Sequence, residues 1–233
     1  MNRIQRSGQG LVEYVLIVLL VAIGALLVLQ LMGISVRDVY CRVAAGLGAG
    51  SCQQTSTAYC TDGFDTMSNS QNVTGPWTNS NGQACIQGGG ILYNTCSMTT
   101  MTANDYTAQI DGAALSSGNG YGIFFRATNN GLGVNGYAFQ YDPGLVGFVM
   151  RKWVNGVEIN PAIAYKSVPG FNFYSKPHTL SVKVVGDTFT GYVDGAVMLS
   201  GKDSTYSTGG TGIRTWDSTN LCLDNFSVIP PIP

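Results

Sequence analysis

The chain has 233 residues, of which 11% are charged, and its 12 basic and 13 acidic side chains leave a formal charge of −1. That balance excludes a charge-driven nucleic-acid binder, which needs a basic field to meet the phosphates, and a composition 45% hydrophobic and 10% aromatic excludes disorder. The single histidine, His178, excludes His-cluster metal centres and leaves almost no material for a Ser/His/Asp enzyme.

No residue from Tyr14 to Val36 is charged. As a helix rising about 1.5 Å per residue, some twenty such residues span the ~30 Å hydrocarbon core of a bilayer. Arg3 and Arg6 flank the run, so the positive-inside tendency keeps the N-terminus inside and exports the remainder of the chain. The run is longer than a signal peptide's and lacks an Ala-x-Ala site at its end. Glu13 stands at its start, and a charge deep in a bilayer costs roughly 2.5–3.5 kcal/mol. Residues 46–59 are rich in Gly, Ser and Thr and read as a linker.

The string Gly8-Gln9-Gly10-Leu11-Val12-Glu13-Tyr14, followed by Ala22-Ile23-Gly24 and Leu31-Met32-Gly33-Ile34-Ser35, resembles the type IVb prepilins of the Flp (Tad) class. The resemblance covers residues 3–45. It implies cleavage by a prepilin peptidase between Gly8 and Gln9 and an assembly role for Glu13 and Tyr14. The Glu13 carboxylate of one subunit would then meet the α-amino group of the next, each offsetting the cost of burying the other.

From Cys60 the pattern turns to β. Alternating apolar runs at 106–110, 122–127, 137–141, 146–151, 179–185, 188–193 and 196–199 are separated by Gly, Asn and Asp turns. Asn155-Gly156 and Asp194-Gly195 are strong hairpin signals, and Gly186-Asp187 is a further tight turn. About a dozen strands in ~170 residues predict an antiparallel sandwich or jelly roll. Residues 62–229 resemble the concanavalin A-like lectin/glucanase superfamily in its LamG-like or family-16 branch. That resemblance rests on Asp62-Gly63-Phe64-Asp65, Trp77, Asn81-Gly82, the run from Gly122 to Arg126, the run from Gly136 to Gln140, the stretch 178–195, Gly212 to Trp216, and Leu223 to Phe226.

The family-16 catalytic signature, Glu-x-Asp-x-x-Glu, is absent, and the chain holds only two glutamates, Glu13 and Glu158. Glycoside hydrolysis normally needs two carboxylates across the scissile bond, so no enzymatic activity is expected. For glycan binding the candidates are Trp153, Arg151, Arg126 and Tyr141, with Tyr165, Tyr174 and Trp216 also available. Trp153, beside the Asn155-Gly156 turn, is expected to be the most exposed aromatic, while Trp77, Phe124, Phe139, Phe148 and Trp216 are read mostly as core. No cofactor is expected apart from a candidate Ca²⁺ held by Asp62, Asp65 and Asp224, whose hard oxygens suit that ion.

The six cysteines all lie beyond the apolar run, and an even number on the exported side reads as disulfides. The expected pairs are Cys41–Cys52, Cys60–Cys222 and Cys85–Cys96, out of fifteen connectivities.

The expectation is therefore a two-part α+β chain, a long N-terminal hydrophobic helix followed by an all-β antiparallel jelly-roll sandwich. Its parts are a leader at 1–8, a transmembrane and assembly helix at 9–45, a linker at 46–59, a LamG-like sandwich at 60–229 and a Pro-rich tail at 230–233. Its function is a Flp-type pilus subunit that displays a β-sandwich for adhesion or glycan binding. Its partners are further copies of itself, the prepilin peptidase, the pilus assembly machinery, the membrane before assembly and a surface glycan, with no nucleic acid. Its location is the inner membrane as a precursor and the extracellular pilus afterwards. The alternatives are a minor TadE-like pseudopilin and a non-polymerising membrane-anchored surface lectin.

Overall fold

The computed structural model describes residues 13–20, 58–66, 71–93, 103–174 and 176–232. Residues 56–232 form one compact unit and residues 1–55 belong to another.

The described residues of the second unit form sixteen strands: β1 (Cys60–Asp62), β2 (Gln71–Thr74), β3 (Thr78–Ser80), β4 (Gln83–Gln87), β5 (Gly90–Tyr93), β6 (Tyr106–Ser117), β7 (Tyr121–Asn129), β8 (Val134–Asp142), β9 (Gly147–Val154), β10 (Val157–Glu158), β11 (Ala164–Ser167), β12 (His178–Val185), β13 (Thr188–Val193), β14 (Ala196–Lys202), β15 (Gly210–Thr215) and β16 (Asn220–Ile229). They form two eight-stranded sheets. Sheet I runs β14-β13-β12-β6-β16-β4-β3 with β1 beside β16, and sheet II runs β10-β9-β8-β7-β15-β5-β2 with β11 beside β9. All strand pairings are antiparallel.

The antiparallel sandwich expected for residues 60–229 is present, and its turns obey the backbone chemistry. Asn155 and Gly156 have φ of 50° and 79°, and Asp194 and Gly195 have 50° and 78°, the left-handed pair that a two-residue hairpin needs to match strand twist. Period-2 alternation sends one side of each sheet inward. On β13, Phe189, Gly191 and Val193 are buried while Thr188, Thr190 and Tyr192 are half-buried. The shared core is aromatic, with Phe64, Phe125, Tyr137, Phe139, Phe148, Phe173, Phe189 and Phe226 all fully buried.

Strand β7 departs from alternation, because its first seven residues are all buried. Tyr121, Ile123 and Phe125 face the main core. Phe124 faces the other way, in a second apolar cluster with Ala127, Val134, Ala138 and Trp153. The outward side of sheet II is thus not an ordinary wet sheet surface.

Two expectations are corrected by this architecture. Among the described residues the helical stretch is 13–20, about 12 Å long at ~1.5 Å per residue. No helix among them is long and apolar enough to cross a membrane. Among the described residues the expected long hydrophobic helix is thus a short helical stretch, and the remainder is almost all β. The expected inner-membrane precursor that rested on that helix finds no support among the described residues. Glu13 and Tyr14 lie on this stretch, exposed. Gly8, Gln9, Cys41, Cys52 and Cys96 lie outside the described residues.

The second correction concerns disulfides. Cys85 is bonded to Cys222, which replaces both Cys60–Cys222 and Cys85–Cys96. The reason is register. The first and last strands do pair, but Cys60 stands opposite Val228, whereas Cys222 stands opposite Cys85 on β4, another neighbour of β16. Cys60 is disulfide-bonded as well. These bonds fit a secreted or extracellular domain.

Candidate functional site

The outward side of sheet II carries a compact polar and aromatic cluster centred on Arg214. Its position is set by register. Gly122 stands between Gln140 on one neighbouring strand and Arg214 on the other. A Cβ at Gly122 would come within 2.6 Å of the Gln140 Cβ, so glycine leaves the space in which the flanking side chains meet. Arg214 Nη1 donates to Gln140 Oε1 at 2.6 Å and to the Glu158 carboxylate.

The guanidinium Cζ lies 4.4 Å from the ring centroid of Trp153 and 4.4 Å from that of Trp216. A cation between two indole faces is attracted by both ring quadrupoles. Trp153 in turn meets Phe124 edge-on, with centroids 5.4 Å apart. Arg214 is 8% exposed. Burial pulls its pKa down, opposed by the charges of Glu158 and Asp142. Glu158 also bridges to Arg151, whose Nε lies 3.2 Å from Oε2, and Arg151 Nη1 donates to Asn160 Oδ1 at 2.8 Å. One half-exposed carboxylate therefore serves two guanidiniums.

Of the four predicted glycan residues the structure brings two together, Trp153 and Arg151. Trp153 is not the exposed ring expected from its sequence position: it is 8% exposed, because β8 and β9 pair it with Gly136 and it sinks over Ala138 and Phe124. Tyr141 points the opposite way into the core, stacked on Phe173 with centroids 4.2 Å apart. Arg126 lies away from this face, its guanidinium bonded to the carbonyls of Tyr206 and Asn104. Sequence reasoning missed Arg214, Gln140, Glu158 and Asn160 as site residues. The usable signal was the i, i+2 spacing of Arg214 and Trp216, which puts both on one side of the chain. Tyr165, on β11, is exposed, and Tyr174 donates to the Gly118 carbonyl at 2.8 Å.

The proposed calcium ligands do not gather. Asp62 Oδ1 accepts from Phe64 N at 2.9 Å and Asp224 Oδ1 from Asn225 N at 2.7 Å; both are the local backbone caps that Asp commonly makes. Among the described residues no group of three or more His, Cys, Asp or Glu side chains is placed to hold a metal ion. His178 is also structural, buried against Phe173 and bonded to Asp194 and the Asn172 carbonyl.

No family model matches the chain, and no curated protein matches it. Solved structures do. Carbohydrate binding module CBM66 from Bacillus subtilis is 23% identical, with TM-score 0.55 over 67% of this chain and 94% of that one. The exoplasmic/lumenal domain of VIP36 in its Ca²⁺/Man2-bound form is 10% identical, with TM-score 0.59 over 75% and 89%. A structure described as a native glycosidic hydrolase is 14% identical, with TM-score 0.56 over 75% and 97%. At these identities the likeness is one of fold alone, the two-sheet antiparallel β-sandwich.

Proposed function

We propose that residues 60–229 form a non-catalytic carbohydrate-binding module whose ligand lies on the outward side of sheet II. The observation that carries this reading is the Trp153–Arg214–Trp216 stack with its Gln140–Glu158–Arg151–Asn160 network. Flat rings meet the apolar face of a sugar, while amide, carboxylate and guanidinium groups meet its hydroxyls. Of these groups Trp216, Glu158 and Asn160 retain solvent access. CBM66 and VIP36, with which the fold is shared, are named for carbohydrate binding or solved with mannose sugars. Fold likeness includes a hydrolase, but Glu158 is the only glutamate of the sandwich and is tied to two arginines, which suits positioning rather than proton transfer.

The test is a glycan array on the full chain, followed by titration of any hit against Trp216→Ala. The reading expects a hit whose affinity falls at least tenfold in the variant while the circular dichroism spectrum is unchanged. An empty array, or a hit indifferent to Trp216, overturns it.

The finer reading makes the chain a Flp-type filament subunit with the sandwich as its displayed part, and the Gly8-to-Tyr14 motif is its support. Mass spectrometry of the mature chain distinguishes a Gln9 start from an intact Met1. Ca²⁺ binding elsewhere on the sandwich, as in the Ca²⁺-bound VIP36 structures, is tested separately, by a melting temperature that rises with added Ca²⁺.

A further inference from the structure

A further cavity shares no lining residue with the Arg214 cluster. It measures about 250 Å³ and is lined by Asn104, Asp105, Arg126, Gly186, Asp187, Ser204, Tyr206 and Ser207. The start of β6, the β12–β13 turn, the end of β7 and the β14–β15 connection converge on it.

Its central group is Arg126, and the backbone is bent to place it there. Register on β7 shifts between Phe125 and Thr128, and Arg126 adopts a left-handed φ of 46°, which a non-glycine residue holds only when its surroundings enforce it. Two contacts enforce it. Arg126 N donates to Tyr106 Oη at 2.9 Å, and Gly209 packs so tightly that a Cβ there would lie 2.3 Å from the Arg126 carbonyl carbon.

The guanidinium so positioned is unusual. Arg126 is 4% exposed and makes no salt bridge among the described residues. Its Nη1 and Nη2 donate to the carbonyls of Tyr206 and Asn104, each at 3.2 Å, and its Cζ sits 5.5 Å from the Phe189 ring centroid. Its Nε–H has no acceptor among the described residues. A buried arginine is normally paired with a carboxylate. Here two carboxylates line the same cavity but are engaged elsewhere: Asp105 accepts from Gly186 N at 2.8 Å and Asp187 from Thr188 Oγ1 at 3.1 Å.

The cavity lining thus combines one guanidinium, two carboxylates and two serine hydroxyls. A simple anion would meet the carboxylates and a simple cation would meet the guanidinium. A neutral ligand dense in hydroxyls can serve both kinds of group, since each hydroxyl donates and accepts. We infer that this cavity is a second ligand site, for a single neutral sugar ring, separate from the face of sheet II.

The test uses the full chain and saturation-transfer NMR with the methyl glycosides of mannose, glucose and galactose as probes. Wild type and Trp216→Ala are compared with Asp187→Asn and Ser204→Ala, both at exposed loop positions, and with Arg126→Lys if it folds by circular dichroism. The inference expects at least one glycoside to bind wild type and Trp216→Ala equally, and to bind Asp187→Asn at least tenfold more weakly. If no glycoside binds, or Asp187→Asn and Ser204→Ala both bind like wild type, the cavity holds only water and the inference is wrong. If Trp216→Ala alone loses the signal, the probe sits on sheet II and this inference fails while the sheet-face reading stands.

Discussion

At the scale of single residues, the buried polar groups decide what can be tested. Arg214 holds Glu158 and Gln140 and separates two indole rings. Replacing it with alanine strands Gln140, which is buried. Hydrogen bonds to charged groups contribute about 1.5–3 kcal/mol, and Glu158 keeps Arg151 and some solvent, so a loss of about 2–3 kcal/mol by urea denaturation is expected. Arg214→Lys recovers the charge but not the planar stack, so it is expected to fall between the two. Tyr121 gives the opposite sign. Its hydroxyl is fully buried with no hydrogen-bond partner among the described residues, and leaving such a group unmatched costs about 1–3 kcal/mol. Tyr121→Phe is expected to raise stability by about 1 kcal/mol. An unchanged or lowered urea midpoint would show that the hydroxyl is in fact matched.

At the scale of elements, turns and the cross-strand link are the features that a substitution reaches cleanly. Gly195 has φ of 78° and open space where a Cβ would go, so Gly195→Ala isolates backbone strain from crowding. The expected cost is about 1–2 kcal/mol, the penalty of a left-handed residue with a side chain. Gly122 is the reverse case: the space is filled by Gln140 and by strand β8. Gly122→Ala is therefore expected to displace Gln140 and weaken any glycan binding on sheet II, read as an altered tryptophan emission spectrum. The Cys85–Cys222 bond joins residues 137 apart. Constraining so long a loop in the unfolded chain is worth about 2–5 kcal/mol. The Cys85→Ser/Cys222→Ser double variant is expected to lose that much in a denaturant titration.

At the scale of the whole molecule, pH reports on the core. Burial raises Tyr106 to about 12 and raises Tyr121 and Tyr137 as well. A group whose pKa is higher folded than unfolded contributes fully below its unfolded value of about 10, and that contribution is lost as pH rises toward the folded value. Tyrosinate absorbance and loss of β-sheet circular dichroism are thus expected to appear together above about pH 10. Independent, gradual ionisation with the sheet intact would contradict the buried positions. Asp203 sets the acid side. Burial opposes its charge, but Thr205, Tyr137 and Lys152 bond the carboxylate and together hold it well below the usual range. Its contribution is present above the unfolded carboxylate value of about 3.9 and is lost only as pH falls through the lower folded value. Asp203→Asn is expected to shift acid unfolding to higher pH.

What was legible in the sequence was local. Strand alternation, the Asn-Gly and Asp-Gly turns and an aromatic interior arise from side-chain period and φ preferences, and each needs only a few neighbouring residues. The absence of a paired-carboxylate signature was equally legible, since it is a count. Register was not. Whether Cys222 meets Cys60 or Cys85 depends on a slide of a few residues between strands far apart in the chain, and nothing local fixes it. The same slide carries Arg214, Gln140 and Glu158 to one side of sheet II, turns Tyr141 inward and sends Arg126 to the other end. The residues alone dictate a neutral, charge-poor chain with a β-sandwich and no material for a histidine metal centre. Which side of the sandwich gathers the polar groups is settled only on folding, because side-chain direction in a sheet is set by strand pairing and a shift of one residue reverses it.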